Sequence, residues 1–172
     1  LGLLLTQLSV GCSPDSGDPC DRDAYGCDDG LSSFTIDPTC ELTGDLALEP
    51  GHGEHAFTPL VEGDLVPAEF GSQGGQHLFA ALRVLNADLT RYDKLSVVVD
   101  VQWASSGESI GYRDLVLGKQ EPIPTASDGA VEVSGLLVLL VSWPRTTPKR
   151  ITYTVQDPCG RTGTVTHEIP AG

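Results

Sequence analysis

The chain has 172 residues, of which 24 are acidic and 10 basic, a formal net charge of -14 with the histidines neutral. Nucleic acid is a poor partner for such a chain, because duplexes are bound mainly by Lys and Arg neutralising phosphates. The densest basic group, Arg145, Lys149 and Arg150, reads as the solvated end of one strand.

Residues 1–12 read LGLLLTQLSVGC, an apolar run that closes on Gly11 and Cys12. It is too short to span a bilayer, which takes about 20 residues. The run resembles a lipobox, in which a signal peptidase cuts before a cysteine whose thiol carries lipid. That resemblance implies a signal-peptide remnant at 1–11, lipidation at Cys12 and an exported protein held by its lipid at the bacterial cell envelope. Ser13, in place of Asp, is similar to the class sorted to the outer membrane. The net charge opposes adsorption of bare protein to anionic lipid, so attachment to the membrane falls to the lipid.

Residues 13–39 hold seven Asp, four Ser, three Pro and three Gly with almost no apolar periodicity. Such a segment cannot bury enough surface to offset its ordering entropy, and the expectation is a disordered acidic tether over 12–39. Within it, Asp21-Arg22-Asp23-Ala24-Tyr25-Gly26 opens like a calcium loop, but Tyr25 stands at the fifth position and Ser32 at the twelfth, where a bidentate Glu is required. Five cysteines leave one without an intramolecular partner, and lipidation of Cys12 removes the odd one. Cys20, Cys27, Cys40 and Cys159 then suit two disulfides in an oxidising compartment, with three pairings open. Their spacing does not match the tight pairs of zinc ribbons and fingers.

From Leu42 onward the pattern has period two, the spacing that puts alternate side chains on one face of a sheet. Leu42, Leu46 and Leu48 alternate, as do Leu78, Ala80, Leu82 and Val84. The clearest strand sets Leu95, Val97, Val99, Val101 and Trp103 opposite Ser96, Asp100 and Gln102. Residues 131–141, apolar on both faces after Gly135, predict a central or doubly covered strand. Ile151, Tyr153 and Val155 oppose Thr152, Thr154 and Gln156, and a last run covers 164–169. Turn signals at 49–51, 62–64, 71–75, 105–107, 127–129 and 157–160 separate these runs. Many short strands with regular turns predict an all-β antiparallel sandwich at 40–172, of about seven to nine strands. A chain of this length buries roughly two-thirds of its unfolded surface, enough for one domain.

Three groups of residues bear on chemistry. His52, His55 and His77, with Glu54, are candidate ligands for copper or zinc. His52 to His55 is one residue short of the inverzincin pattern and lies in a glycine-rich turn rather than on a helix. Residues 71–77, GSQGGQH, lack the Lys-Ser or Lys-Thr and the helix of a phosphate cradle; Gly74 and Gly75 are expected to supply positive φ for a bend. Ser105, Ser106 and Ser109 stand in no G-x-S-x-G elbow. Neither a catalytic residue nor a cofactor is expected.

The C-terminal run ITYTVQDPCGRTGTVTHEI resembles the closing hairpin of immunoglobulin-like and fibronectin-III-like modules of bacterial surface proteins. With the lipobox, the acidic tether and the block GHGEHAFTPLVEGDLVPAEFGSQGGQH, the chain is similar to uncharacterised immunoglobulin-like lipoproteins of myxobacteria. The resemblance implies an immunoglobulin-like β-sandwich in which the first strand starts beside the turn joining the last two. It therefore pairs Cys40 with Cys159, leaving Cys20 with Cys27. The expected function is a non-enzymatic, lipid-anchored binding or structural module for an unknown protein or glycan ligand. The alternative is a periplasmic metal-binding or sensor domain using His52, His55 and His77.

Overall fold

A computed structural model of the chain describes residues 35–72, 74–89, 94–118 and 128–172. These form nine antiparallel strands: β1 (Ala47–His52), β2 (Thr58–Pro59), β3 (Glu69–Phe70), β4 (Gln76–Leu85), β5 (Leu95–Trp103), β6 (Ser109–Leu117), β7 (Val131–Leu140), β8 (Lys149–Gln156) and β9 (Thr162–Ile169). Among the described residues there is no helix. Cys12, Cys20, Cys27 and the expected tether as far as residue 34 lie outside the described residues.

The hydrogen-bonded path runs β2-β1-β4-β7-β6-β5-β8-β9, with β3 beside β4. It folds into two layers because β6 and β7 are joined at one register position only, Gly111 opposite Leu140. Glycine is needed there: a Cβ on Gly111 would lie 2.7 Å from Leu140 Cδ2. One layer is then β1-β4-β7 with the short β2 and β3, and the other is β6-β5-β8-β9. The division is that of an immunoglobulin-like sandwich whose fourth strand has joined the second sheet. At the opposite corner the Leu46 amide donates to the Thr162 carbonyl, bringing the start of β1 to β9.

The core lies between the layers and follows the period-two faces. Leu78, Leu82 and Val84 of β4, Val97, Val99 and Val101 of β5, Val138 of β7 and Ile151, Tyr153 and Val155 of β8 are fully buried. Tyr153 reaches across the core, where its hydroxyl donates to the Gly51 carbonyl at 2.6 Å. That bond ties the two layers at mid-height, and burial pushes the phenol well above its ordinary pKa.

Two expectations need correction. The strand at 131–141 is central in the strand order, with β4 beside it along its length and β6 at Leu140, but it is not doubly covered: Leu137 and Leu139 are exposed at 39% and 56%. Its mixed pattern has another cause. Ser134 and Gly135 together oppose Ala81, a bulge with Gly135 at φ 72°, so inward parity switches from Val131 and Val133 to Leu136, Val138 and Leu140. The end of β1 uses that bulge, since the Gly135 amide donates to the Gly53 carbonyl. The second correction concerns Leu42, which precedes β1, with Gly44 at φ 85° breaking the chain between them.

On the outer face of the first layer, Arg83 draws in Glu49 of β1, Asp128 before β7 and Glu132 of β7. The hydrogen bond from Arg83 holds the Asp128 carboxyl below the ordinary range. On the second layer the outward residues of β8 and β9 are polar, with Thr152 against Thr166 and Thr154 against Thr164.

Candidate functional site

The strand register defines two ends. One holds the start of β1, the β4–β5 and β6–β7 connections and the β8–β9 turn; the other holds the β5–β6 turn, the β7–β8 connection and the end of β9.

The first end is a staple. Cys40 and Cys159 are disulfide-bonded with a Cα separation of 5.2 Å, as the sandwich reading requires. In the β8–β9 turn, Asp157 Oδ1 accepts the amides of Cys159 and Arg161, while Oδ2 takes Arg161 Nε at 2.7 Å. Arg161 also donates to the carbonyl of Asn86, the single non-glycine residue with positive φ among the described residues. Both side chains of the ion pair are more than nine-tenths buried. Just before Cys40, the Asp37 amide donates to the Pro158 carbonyl, fixing where the chain enters the domain.

The second end contains a cleft of about 280 Å3, lined by Leu65, Val66, Pro67, Ala68, Trp143, Arg145, Lys149, Ile169, Pro170 and Gly172. Its position follows from the strands that end there. Lys149 opens β8 two residues before Ile151, on the strand's inward face, and is only 1% exposed. The expectation of a solvated strand end is therefore wrong for this residue, although Arg145 is exposed as expected. Burial is tolerated because the ammonium finds backbone acceptors in the β7–β8 connection. Nζ donates to the Pro144 and Thr147 carbonyls at 2.5 and 2.6 Å. It also lies 4.6 Å from the Trp143 ring centroid and 5.8 Å from that of Trp103, which stands opposite Lys149 in the register. Desolvation pulls the lysine pKa below its ordinary value. No Asp or Glu side chain lines the cleft, and neither Lys149 nor Arg145 makes an ion pair among the described residues.

The candidate metal ligands occupy different settings. His52 ends β1, half-buried; His55 sits in the following turn, 86% exposed and 3.5 Å from Glu54; His77 lies in β4, 4.0 Å from Glu69 and edge-on to Phe79. Among the described residues, no group of three His, Cys, Asp or Glu is placed to hold a metal ion. In the glycine-rich loop Gly74 has φ 85° while Gly75 does not enter the positive region, so one glycine makes the bend. Ser109 donates to Asp100 at 2.6 Å, and Ser106 accepts the Glu108 amide in the β5–β6 turn.

Sequence reasoning passed over Lys149 as a buried group and His167 altogether. His167 is 8% exposed, on the inward face of β9, and its Nε2 has no hydrogen-bond partner among the described residues. The alternation Gly163, Val165, His167, Ile169 carried that signal.

No protein-family model matches the chain, and no curated protein matches it. Among solved structures it is similar to the crystal structure of a glycosyl hydrolase family 2 member from Bacteroides cellulosilyticus DSM 14838. The TM-score is 0.39 at 8% identity, over 60% of this chain and 14% of that one. The chain thus spans about a seventh of that protein, and the fold assignment rests on the strand pairing described above.

Proposed function

We propose that this chain is an exported, lipid-anchored protein of the bacterial cell envelope that works as a binding or structural interaction module, without catalysis of its own. One observation carries the reading: the chain enters the sandwich at the stapled end, while the cleft opens at the other. Eight residues of β8 separate the two, about 27 Å at roughly 3.4 Å per residue. A lipid on Cys12 would sit 28 residues before Cys40, a stretch that reaches at most about 100 Å. A tether arriving at the staple leaves the cleft end facing away from the membrane. Loops at one end of a rigid sandwich commonly present a binding surface.

The reading is tested by labelling cells that express the full-length precursor with radioactive palmitate and fractionating them. Label and membrane partitioning are expected in the parent and lost in Cys12→Ser. Unchanged partitioning of Cys12→Ser would show that the lipid reading is wrong.

A further inference from the structure

We propose that the cleft beside Lys149 recognises a carboxylate group carried on a small apolar body, such as a short fatty acid or the C-terminal residue of a peptide. The proposal names the ligand class for the end read above as the binding end, and it rests on that reading. Charge is the first argument. In a chain with 24 acidic and 10 basic residues, the cleft has two cations and, among the described residues, no Asp or Glu side chain on its walls; the carboxylate of Gly172, also on the wall, makes an ion pair with neither. Elsewhere in the sandwich Arg83 meets Glu49, Arg150 meets Glu168 and Arg161 meets Asp157, while the exposed Arg113, far from the cleft, makes no ion pair among the described residues.

The second argument is the buried ammonium. Lys149 has three N–H donors, and the Pro144 and Thr147 carbonyls take two of them. The charge itself meets only neutral carbonyls and the faces of Trp143 and Trp103, in a place water scarcely reaches. A buried charge without a counter-ion is costly, and an anion held in the cleft by Arg145 would offset part of that cost through the low-dielectric wall without touching the ammonium, which is 1% exposed. Arg145, exposed at the mouth, supplies the planar fork that suits a carboxylate.

The third argument is the rest of the lining. Leu65, Val66, Ala68 and Ile169 offer hydrocarbon and no acceptor side chain, so the remainder of the ligand is apolar. The volume of about 280 Å3 lies at the lower end of small-molecule sites, which limits that body to a few carbons.

The test is a titration of the full 172-residue chain followed by the indole N–H resonances of Trp103 and Trp143. Hexanoate and N-acetyl-leucine, standing for a free acid and a peptide terminus, are compared with hexanol. Saturable shifts are expected with at least one of the two acids, hexanol binding at least about tenfold more weakly. Arg145→Gln is expected to weaken the acid by about tenfold while leaving the melting temperature unchanged, because the Arg145 side chain is exposed and the variant keeps the backbone carbonyl that accepts the Gly172 amide. Equal binding of hexanol and the acids, absence of saturable shifts, or an Arg145→Gln variant that binds as the parent does each overturns the proposal. Membrane partitioning plays no part in this titration, so its failure is distinct from failure of the lipid reading.

Discussion

The two ends of the sandwich handle buried charge in opposite ways. At the stapled end, Arg161 and Asp157 are both buried, and each satisfies the other while also holding backbone: Asp157 takes two amides and Arg161 one carbonyl. At the cleft end Lys149 is buried as deeply, yet its partners are two carbonyls and two indole rings. One end is electrostatically closed and covalently tied; at the other, no carboxylate pairs with the cation among the described residues. The contrast teaches that burial alone does not mark a functional group. Both charges hold a turn, but Arg161 does so paired with a carboxylate, whereas Lys149 pairs with none among the described residues.

The sharpest way to break this comparison is to open the staple. The disulfide joins residues 119 apart, and closing a loop of that length stabilises by about 4 to 5 kcal/mol in the chain-entropy model. Cys159→Ser is expected to lower the melting temperature of the sandwich by more than Asp157→Ala or Tyr153→Phe, measured by calorimetry under non-reducing conditions. Peptide mapping that joined Cys159 to any cysteine other than Cys40 would overturn the assignment.

Removing one partner of the buried pair comes next. Asp157→Ala strands the Arg161 guanidinium and frees the Cys159 and Arg161 amides, and loss of one partner in a buried pair costs about 3 to 5 kcal/mol. The same change should raise hydrogen exchange at Cys159 and Arg161 before it affects β5. A loss under about 1 kcal/mol in chemical denaturation would mean that water already reaches the pair.

Between the ends, Tyr153 offers a smaller and cleaner probe. Tyr153→Phe keeps the ring in the core but leaves the Gly51 carbonyl without its donor, a loss of about 1 to 3 kcal/mol. Because that bond ties β8 to β1 across the layers, the amides of β1 should exchange faster than those of β5 in the variant. An unchanged exchange profile would place the tie elsewhere.

How much of this contrast could be read beforehand depends on where local pattern meets tertiary context. Leu95 to Trp103 was legible because one face of β5 is buried and the other is not, which imposes alternation. Cys40 with Cys159 followed from strand order once the sandwich was assumed, and the pairing is observed. β6 was missed since it carries one extra residue, Ile110, opposite the Val101–Gln102 step of β5, so Ile110 and Gly111 are both buried and the alternation is erased. In β7 the bulge at Gly135 made a strand buried on one face look apolar on two. Lys149 was assigned by its chemistry to the surface, although its place two residues before Ile151 put it on the inward face. Period outweighed residue type there because the rim supplied carbonyl acceptors, and nothing local in the sequence announces such acceptors. The cleft depended on the same long-range event: residues 65–68, 143–149 and 169–172 meet only after the sheets close.

The smallest expected effect is also the most specific, since it depends on the protonation of Lys149 itself. Its native pKa lies below the ordinary value because burial disfavours the charged form. Between the two values the unfolded chain binds more protons than the native one, so stability rises with pH across that window. Below it the cost of the buried charge is fully present; above about pH 10.4, the ordinary value for lysine, it is gone. Lys149→Met keeps the stem volume and removes the charge, and replacing a buried charge by a hydrophobic group of similar size is often neutral or stabilising. The variant is therefore expected to melt no lower than the parent near neutral pH. As pH rises toward about 10, the parent should gain on it, because only the parent has a charge to lose. Other titrating groups are common to both proteins and cancel in the difference of melting temperatures. Should the parent instead lose ground as pH rises, the Pro144 and Thr147 carbonyls and the Trp143 ring would be stabilising the ammonium by more than burial costs it. The cleft end would then be as electrostatically closed as the staple, and the comparison between them would collapse.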